Sequence, residues 1–471
     1  MENIYDKFKQ PDTGNSSSGK KKHQLVDFAA GKLPGNRGLQ ELLPEQPTIV
    51  HRQRLVSPNA DWYRASGAEA LQDKHAIEET VQEVNESRTR WENSKKNILV
   101  LFTGGTIGSI RLPDGRIVQP SEAKECGFQA KDAKSLLLDE YQKKYSDPNI
   151  NFDTKTIMET LSENITIKKM EDLTKQLKKI DLKKYDGIVL THGSDTLGHT
   201  ANYLSLILAS IKVPMILVSS NYVVTDERAN GIDNFRGAVD FISNVKLPGV
   251  YVTDNSNSKE KTKVIYASRV TQCKPITDNY GSTSIGEEGE KNMRPLGVIK
   301  GDGNFEILDK KLFKKLQKRS QVEKNNLLDS IESLNSRILV IHPHVGLNYD
   351  VFNLDNVDAI LHTTYHSGTS CTDGDSENLL AFTEKCQKKG VDLYLGPIYG
   401  DAGRDVYSST DKFYNSGGST IMNVSFENAY SKLLIAYALF KDKKEDRDKF
   451  IYQNVNEEFV KPASKLERKR N

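Results

Sequence analysis

The feature that most constrains this fold occurs twice: an unbroken apolar run that stops at glycine and hydroxyl residues. Asn97-Ile98-Leu99-Val100-Leu101-Phe102 runs into Thr103-Gly104-Gly105-Thr106-Ile107-Gly108. Tyr185-Asp186-Gly187-Ile188-Val189-Leu190 runs into Thr191-His192-Gly193-Ser194-Asp195-Thr196. A strand covered on both faces reads as a continuous run, the pattern of a parallel sheet in an α/β fold. Hydroxyls, an imidazole and a carboxylate then stand just beyond the carboxyl ends of two strands, where open α/β sheets bind ligands. The pattern suits an enzyme, or the descendant of one.

From Lys96 onward strands and helices alternate, which implies right-handed βαβ crossovers. Helices are expected over Ala130–Lys144, Lys169–Ile180 and Ile232–Ser243, with strands at Met215–Ser219, Gly249–Thr253 and Lys263–Ala267. Residues 301–334, dense in lysine, read as a linker. A second, smaller α/β domain then occupies 335–445, with strands at Arg337–Ile341, Asp358–Leu361 and Asp392–Leu395. Helices are expected there over Ser376–Lys389 and Ser425–Phe440, and residues 446–471 read as a basic, solvated tail.

The first 95 residues differ in character. Residues 1–66, with Pro34, Pro44, Pro47 and Pro58 and little periodicity, cannot bury enough apolar surface to fold alone. They form either a disordered tail or an extended arm laid on another subunit or protein. Ala70, Ile77, Val84 and Trp91 recur every seven residues across 67–95, an amphipathic helix docked on its own domain or paired with a copy of itself.

Composition excludes several partners. With 66 basic and 64 acidic residues the net charge is +2, which offers no global field for nucleic acid or an anionic membrane. Cys126, Cys273, Cys371 and Cys386 form no CxxC pair and are too sparse for a disulfide scaffold, as in a reducing compartment. Met1–Asp6 does not resemble a secretory signal, and no run of about 18 apolar residues could span a bilayer. A cytoplasmic protein, or a component of a particle assembled in the cytoplasm, is expected.

Each glycine-flanked segment is on its own compatible with a structural turn. Together they offer a chemistry. Threonine becomes a nucleophile when a base takes its proton and donors stabilise the oxyanion. The glycines before Thr106 let a substrate approach closely. Asp195 suits a substrate ammonium, Ser194 a relay hydroxyl, and the N–H groups of Ser194 and Thr106 an oxyanion. The segments lack the Gly-Lys-Ser/Thr ending of a P-loop and the GxGxxG dinucleotide spacing. Leu197 stands where a G-x-S-x-G elbow needs its second glycine.

Thr103–Gly108 and Thr191–Thr196 resemble the two signatures of bacterial-type L-asparaginases, the asparaginase and glutaminase amidohydrolases, together with the amidase component of the archaeal tRNA amidotransferase. The resemblance runs from Lys96 to Phe440 and includes Asp226–Val239 and Tyr414-Asn-Ser-Gly-Gly. It implies a two-domain α/β asparaginase-like fold, hydrolysis of L-asparagine or L-glutamine with release of ammonia, and no cofactor or metal. It further implies Thr106 as nucleophile, Ser194 as second catalytic hydroxyl, and Asp195, Ser162 and Glu163 as the grip on the amino-acid head. Family members build active sites at subunit contacts, which implies a homodimer or homotetramer.

The resemblance has three departures. Serine replaces threonine at 194. The loop Ser109–Glu122 has no tyrosine, and Arg116 or Ile117 falls near the place where the family has one. Gln272 falls where the resemblance calls for a catalytic lysine, with Lys274 two residues later, about 7 Å along a strand. If Lys274 does not fold back, proton transfer should be crippled. A structural or assembly component, such as one of a viral particle, that acts through its N-terminal arm is therefore the alternative to an active amidohydrolase. Asp401 and Asp405 fall where some relatives lend an acid to a neighbour's site. His342-Pro343-His344 and His362-Thr363-Thr364-Tyr365-His366, with Asp373 and Asp375 beyond, lack a convincing zinc spacing and read as hydrogen-bonded loop residues.

Overall fold

The computed structural model describes residues 95–460 apart from 146, 257–260, 276, 278, 284–293, 321–326 and 400–406. The arm expected over 1–66, all of the helix expected over 67–95 except Lys95, and residues 461–471 lie outside the described residues, as do Asp401 and Asp405.

The first part of the chain forms β1 (Lys96–Gly104), the hairpin β2 (Ile110–Arg111) and β3 (Ile117–Val118), α1 (Pro120–Glu125) and α2 (Ala133–Lys144). There follow β4 (Ile150–Thr160), α3 (Ile167–Lys178), β5 (Gly187–Thr191), α4 (Leu197–Ile207), β6 (Pro214–Val218) and α5 (Gly231–Asn244). Next come β7 (Gly249–Asp254), β8 (Lys261–Tyr266), the short pair β9 (Val270–Thr271) and β10 (Gly281–Ser282), and β11 (Gly297–Lys300). Then β12 (Phe305–Ile307), α6 (Lys310–Ser320) and α7 (Leu327–Ser330) lead to β13 (Ile338–Ile341), β14 (Ala359–His362) and α8 (Leu379–Lys389). Last are β15 (Asp392–Ile398), α9 (Ser408–Asn415), β16 (Ser419–Met422), α10 (Phe426–Leu439) and α11 (Lys444–Tyr452).

The large sheet has the order β12-β11-β8-β7-β6-β5-β1-β4. Strands β4, β1, β5, β6 and β7 run parallel. The other three are added antiparallel at one side. The chain leaves β1 for β4 on one flank and returns to β5 on the other, so strand order reverses at β1, the point in such sheets where the loops at the carboxyl ends diverge around a crevice. The second sheet, β13-β14-β15-β16, is parallel throughout.

The apolar runs are continuous because both faces of the large sheet are covered. On one face Ile98, Val100 and Phe102 of β1 pack with Leu137 of α2 and Phe235 of α5. On the other, Leu99 and Leu101 join Leu173 of α3 and Leu204 of α4, in a cluster that continues to Leu361, Tyr394 and Leu433 of the second domain. The two domains thus share a core. Local signals set the helix ends: the Asp132 carboxylate accepts the Ser135 N–H at 2.9 Å, and Ser425 Oγ accepts the Asn428 N–H at 3.0 Å. Gly390, at φ 68°, closes α8 in the left-handed region.

The structure corrects two expected boundaries and adds strands that were not expected, β4, β11, β12 and β16 among them. The linker expected over 301–334 contributes β12 to the large sheet and buries Leu312, Phe313 and Leu316 of α6 against it. Three apolar residues are enough to anchor a helix whose other faces are lysine. The basic tail expected over 446–471 is folded as far as Val460. Phe450 and Ile451 are buried, and the segment after α11 crosses back to the large domain. There Asn456 receives hydrogen bonds from Tyr266 Oη and, on its carbonyl, from Ser268 Oγ, while Arg269 Nε donates to the Glu457 carbonyl. Glu458 forms a fully buried ion pair with Lys432 of α10. Strand β4 carries only a weak strand signal in the sequence, since INFDTKTIMET is largely polar and alternates only at Ile150 and Phe152.

Candidate functional site

Three loops meet in the crevice, those that follow β1, β4 and β5. Their closeness explains the glycines. Gly104 and Gly105 have φ of 101° and 75°, conformations that side chains rarely adopt. A Cβ on Gly105 would lie 2.2 Å from the Gly193 nitrogen, and one on Gly193 would lie 2.5 Å from Ser162 Oγ. The two signature segments and the Ser162 loop are therefore in close contact. Beneath them Ser109 Oγ and Gln119 Nε2 donate to the Gly105 carbonyl at 2.9 and 3.2 Å.

Thr106 opens a single helical turn, Thr106–Gly108, and is partly exposed. Ser194 opens the matching turn after β5, also partly exposed, and Asp195 is exposed beside it. Ser162 is buried and joins the loops. Its hydroxyl donates to Asp195 Oδ2 and accepts the Asp195 N–H, both at 3.1 Å. Its carbonyl accepts Thr196 Oγ1 at 2.9 Å. Glu163 is exposed on the next residue. Thr106, Ser194, Asp195, Ser162 and Glu163 are thus assembled on adjoining loops.

The remaining sequence candidates fall elsewhere. Lys274 is exposed in a turn whose carbonyl accepts the Thr277 N–H and hydroxyl. Among the described residues no hydrogen bond joins its ammonium to Ser194. Arg116 is an exposed partner of Asp114 at 2.9 Å, and Ile117 pairs with Arg111 in the hairpin. His192 is buried with Nδ1–H donated to the Gly193 carbonyl at 2.7 Å, and burial lowers its pKa to about 4. It is a neutral spacer. His342 contacts Thr363 Oγ1, and His362 is bonded to Tyr349 Oη and the Thr363 carbonyl. Among the described residues no group of three or more His, Cys, Asp or Glu could hold a metal ion.

In the sequence Gln272 stands out only for the lysine it displaces. In the structure its Nε2 donates to the Ser194 carbonyl at 2.7 Å and its Oε1 accepts the Gly198 N–H at 2.8 Å. Its own N–H donates to Glu427 Oε1 at 2.8 Å. Tyr280 Oη is a second donor to the Ser194 carbonyl, at 3.0 Å. Burial holds the Tyr280 phenol well above its ordinary pKa, so it keeps its proton. Burial also raises the Glu427 carboxyl, whose Oε2 is buried with no hydrogen bond among the described residues. Tyr280 and Glu427 carry no local motif that would have singled them out.

The "Asparaginase, N-terminal" family model matches residues 97–281. An L-asparaginase of Dirofilaria immitis is 30% identical over 177 residues, which are 34% of this chain and 29% of that protein. The D component of the glutamyl-tRNA(Gln) amidotransferase of Methanosphaera stadtmanae is 25% identical over 355 residues, 73% of this chain and 72% of its own. The solved thermostable L-asparaginase of Thermococcus kodakarensis superposes with a TM-score of 0.58 at 21% identity, covering 78% of this chain and 99% of that one. The chain thus has an asparaginase-like α/β fold. Residues 97–281 match the asparaginase family, and a lower-identity likeness to the amidotransferase D component extends over 73% of the chain. The matched stretch spans less than a third of the Dirofilaria protein.

Proposed function

We propose that this chain is an amidohydrolase that releases ammonia from the side-chain amide of L-asparagine, with L-glutamine as second substrate. The observation that carries this is the Ser162–Asp195 pair at 3.1 Å, on loops in contact with the Gly105–Thr106 turn. Asp195 and Glu163 take the α-ammonium, and on binding the Ser162 hydroxyl turns its one proton from Asp195 to the α-carboxylate, which sets the side-chain amide toward Thr106. Thr106 Oγ attacks the amide carbon while the N–H groups of Thr106 and Ser194 face the oxyanion; the Thr106 hydroxyl proton passes to the amide nitrogen, and the C–N bond breaks to release ammonia and leave the acyl-enzyme. Water then hydrolyses the acyl-enzyme. A homodimer or homotetramer, with residues 1–66 docked on a neighbour, completes this proposal, as does a cytoplasmic location. No helix among the described residues is long and apolar enough to cross a membrane.

A second reading has its own support. The amide of Gln272 holds the place implied for lysine and cannot accept a proton from the relay. On that reading the crevice grips an amino acid without cleaving it, and the chain serves an assembly role. An ammonia-release assay on both amides, with calorimetric binding of L-aspartate, separates the two. Hydrolysis predicts ammonia that Thr106→Ala abolishes while L-aspartate still binds. Equal ammonia from wild type and Thr106→Ala overturns it.

A further inference from the structure

We propose that Gln272 and Tyr280 are positioning residues that aim Asp195 at its ligand by clamping one peptide plane; this rests on the amino-acid-binding site proposed above. A trans peptide is planar, with its C=O and N–H pointing to opposite sides. The Ser194–Asp195 peptide is held at both ends. Its carbonyl accepts Gln272 Nε2 at 2.7 Å and Tyr280 Oη at 3.0 Å, and its N–H donates to Ser162 Oγ at 3.1 Å. With both ends fixed, the peptide flip that would carry the Asp195 backbone, and its side chain with it, away from Ser162 is opposed.

Gln272 is itself fixed through its side chain and its main chain. Its Oε1 takes the N–H of Gly198, one of the four donors that the first turn of α4 leaves without an intrahelical partner. A Cβ on Gly198 would come within 2.9 Å of that Oε1, so the glycine permits the contact. Its main-chain N–H is taken by Glu427, at the start of α10 in the second domain. The brace thus runs from α10 through Gln272 to the Ser194 carbonyl. A lysine ammonium has donors but no acceptor, and could not bond the Gly198 N–H. Glutamine is a residue type that serves both partners at once.

The test is a double-mutant cycle in the full chain, read by calorimetric binding of L-aspartate, KM for L-asparagine and thermal melting. Gln272→Met and Tyr280→Phe each leave the Ser194 carbonyl one donor, and each weakens L-aspartate about threefold. With both donors gone the loss exceeds the product of the single losses, reaching about thirtyfold, and KM rises with it more than kcat falls. A merely structural brace lowers Tm without this coupling. Single losses that multiply simply, or a Tyr280→Phe protein that binds as wild type does, overturn the proposal. Tyr280→Phe alone carries the test if the double variant does not fold. A wild type that binds L-aspartate but releases no ammonia removes the hydrolytic reading and leaves the cycle measurable. One that binds no L-aspartate removes both.

Discussion

Replacing Gly193 by alanine probes the contact on which the crevice depends. Gly193 has φ −82° and ψ 155°, an extended conformation open to any residue, so the change costs no backbone strain. The added methyl would meet Ser162 Oγ at 2.5 Å, Ser162 Cβ at 2.6 Å and Gly105 Cα at 3.1 Å. Overpacking of this kind costs about 1–3 kcal/mol. Displacing the Ser162 hydroxyl also breaks its two bonds to Asp195, at about 1 kcal/mol each. Together, about 3–5 kcal/mol lowers Tm by about 6–10 °C, at about 2 °C per kcal/mol in a domain of this size. L-aspartate binding, followed by calorimetry, should be lost as well. Adding Ser162→Gly removes two of the three close contacts, so about half the lost stability returns while binding does not. A Gly193→Ala protein that melts and binds as wild type does would refute the idea that the three loops are packed against one another.

Two further outcomes follow from buried charge. Lys432→Met strands the Glu458 carboxylate at a site where both side chains are fully buried, and should cost about 3–5 kcal/mol in urea unfolding; a loss too small to measure would argue against an intact pair. His362 is pushed down to about 4 by burial, so between pH 6.5 and 4 the unfolded chain binds the proton and the folded one does not. Stability therefore falls as pH drops through that window, and His362→Asn should flatten the fall, measured by urea midpoints at several pH values. An unchanged slope would mean that His362 titrates alike in both states.

Legibility in the sequence followed burial. Strands β1 and β5 could be read because each is covered on both faces and then breaks at glycine. Strand β4 could not, since it sits at the sheet edge with half-exposed residues and a polar sequence. Yet it delivers Ser162, and without it the third wall of the crevice is placed only by resemblance. The lysines of α6 hid a narrow apolar stripe, and the charges after Asp446 hid a segment that folds back over the large domain. Counting along the chain found Gln272 but not its use, because its partners Ser194 and Glu427 lie 78 and 155 residues away. Such separations are set by topology, which no local pattern records.

The strap at Asn456–Glu458 also bears on the order in which the molecule is completed. It bonds Ser268 and Arg269, a few residues before Gln272, across a separation of 188 positions. A ribosome that has already delivered every strand of both sheets has not yet delivered the residues that fasten this corner. The crevice is then finished last, and a nascent chain halted before residue 456 would carry all its reactive side chains in a site still loosely held.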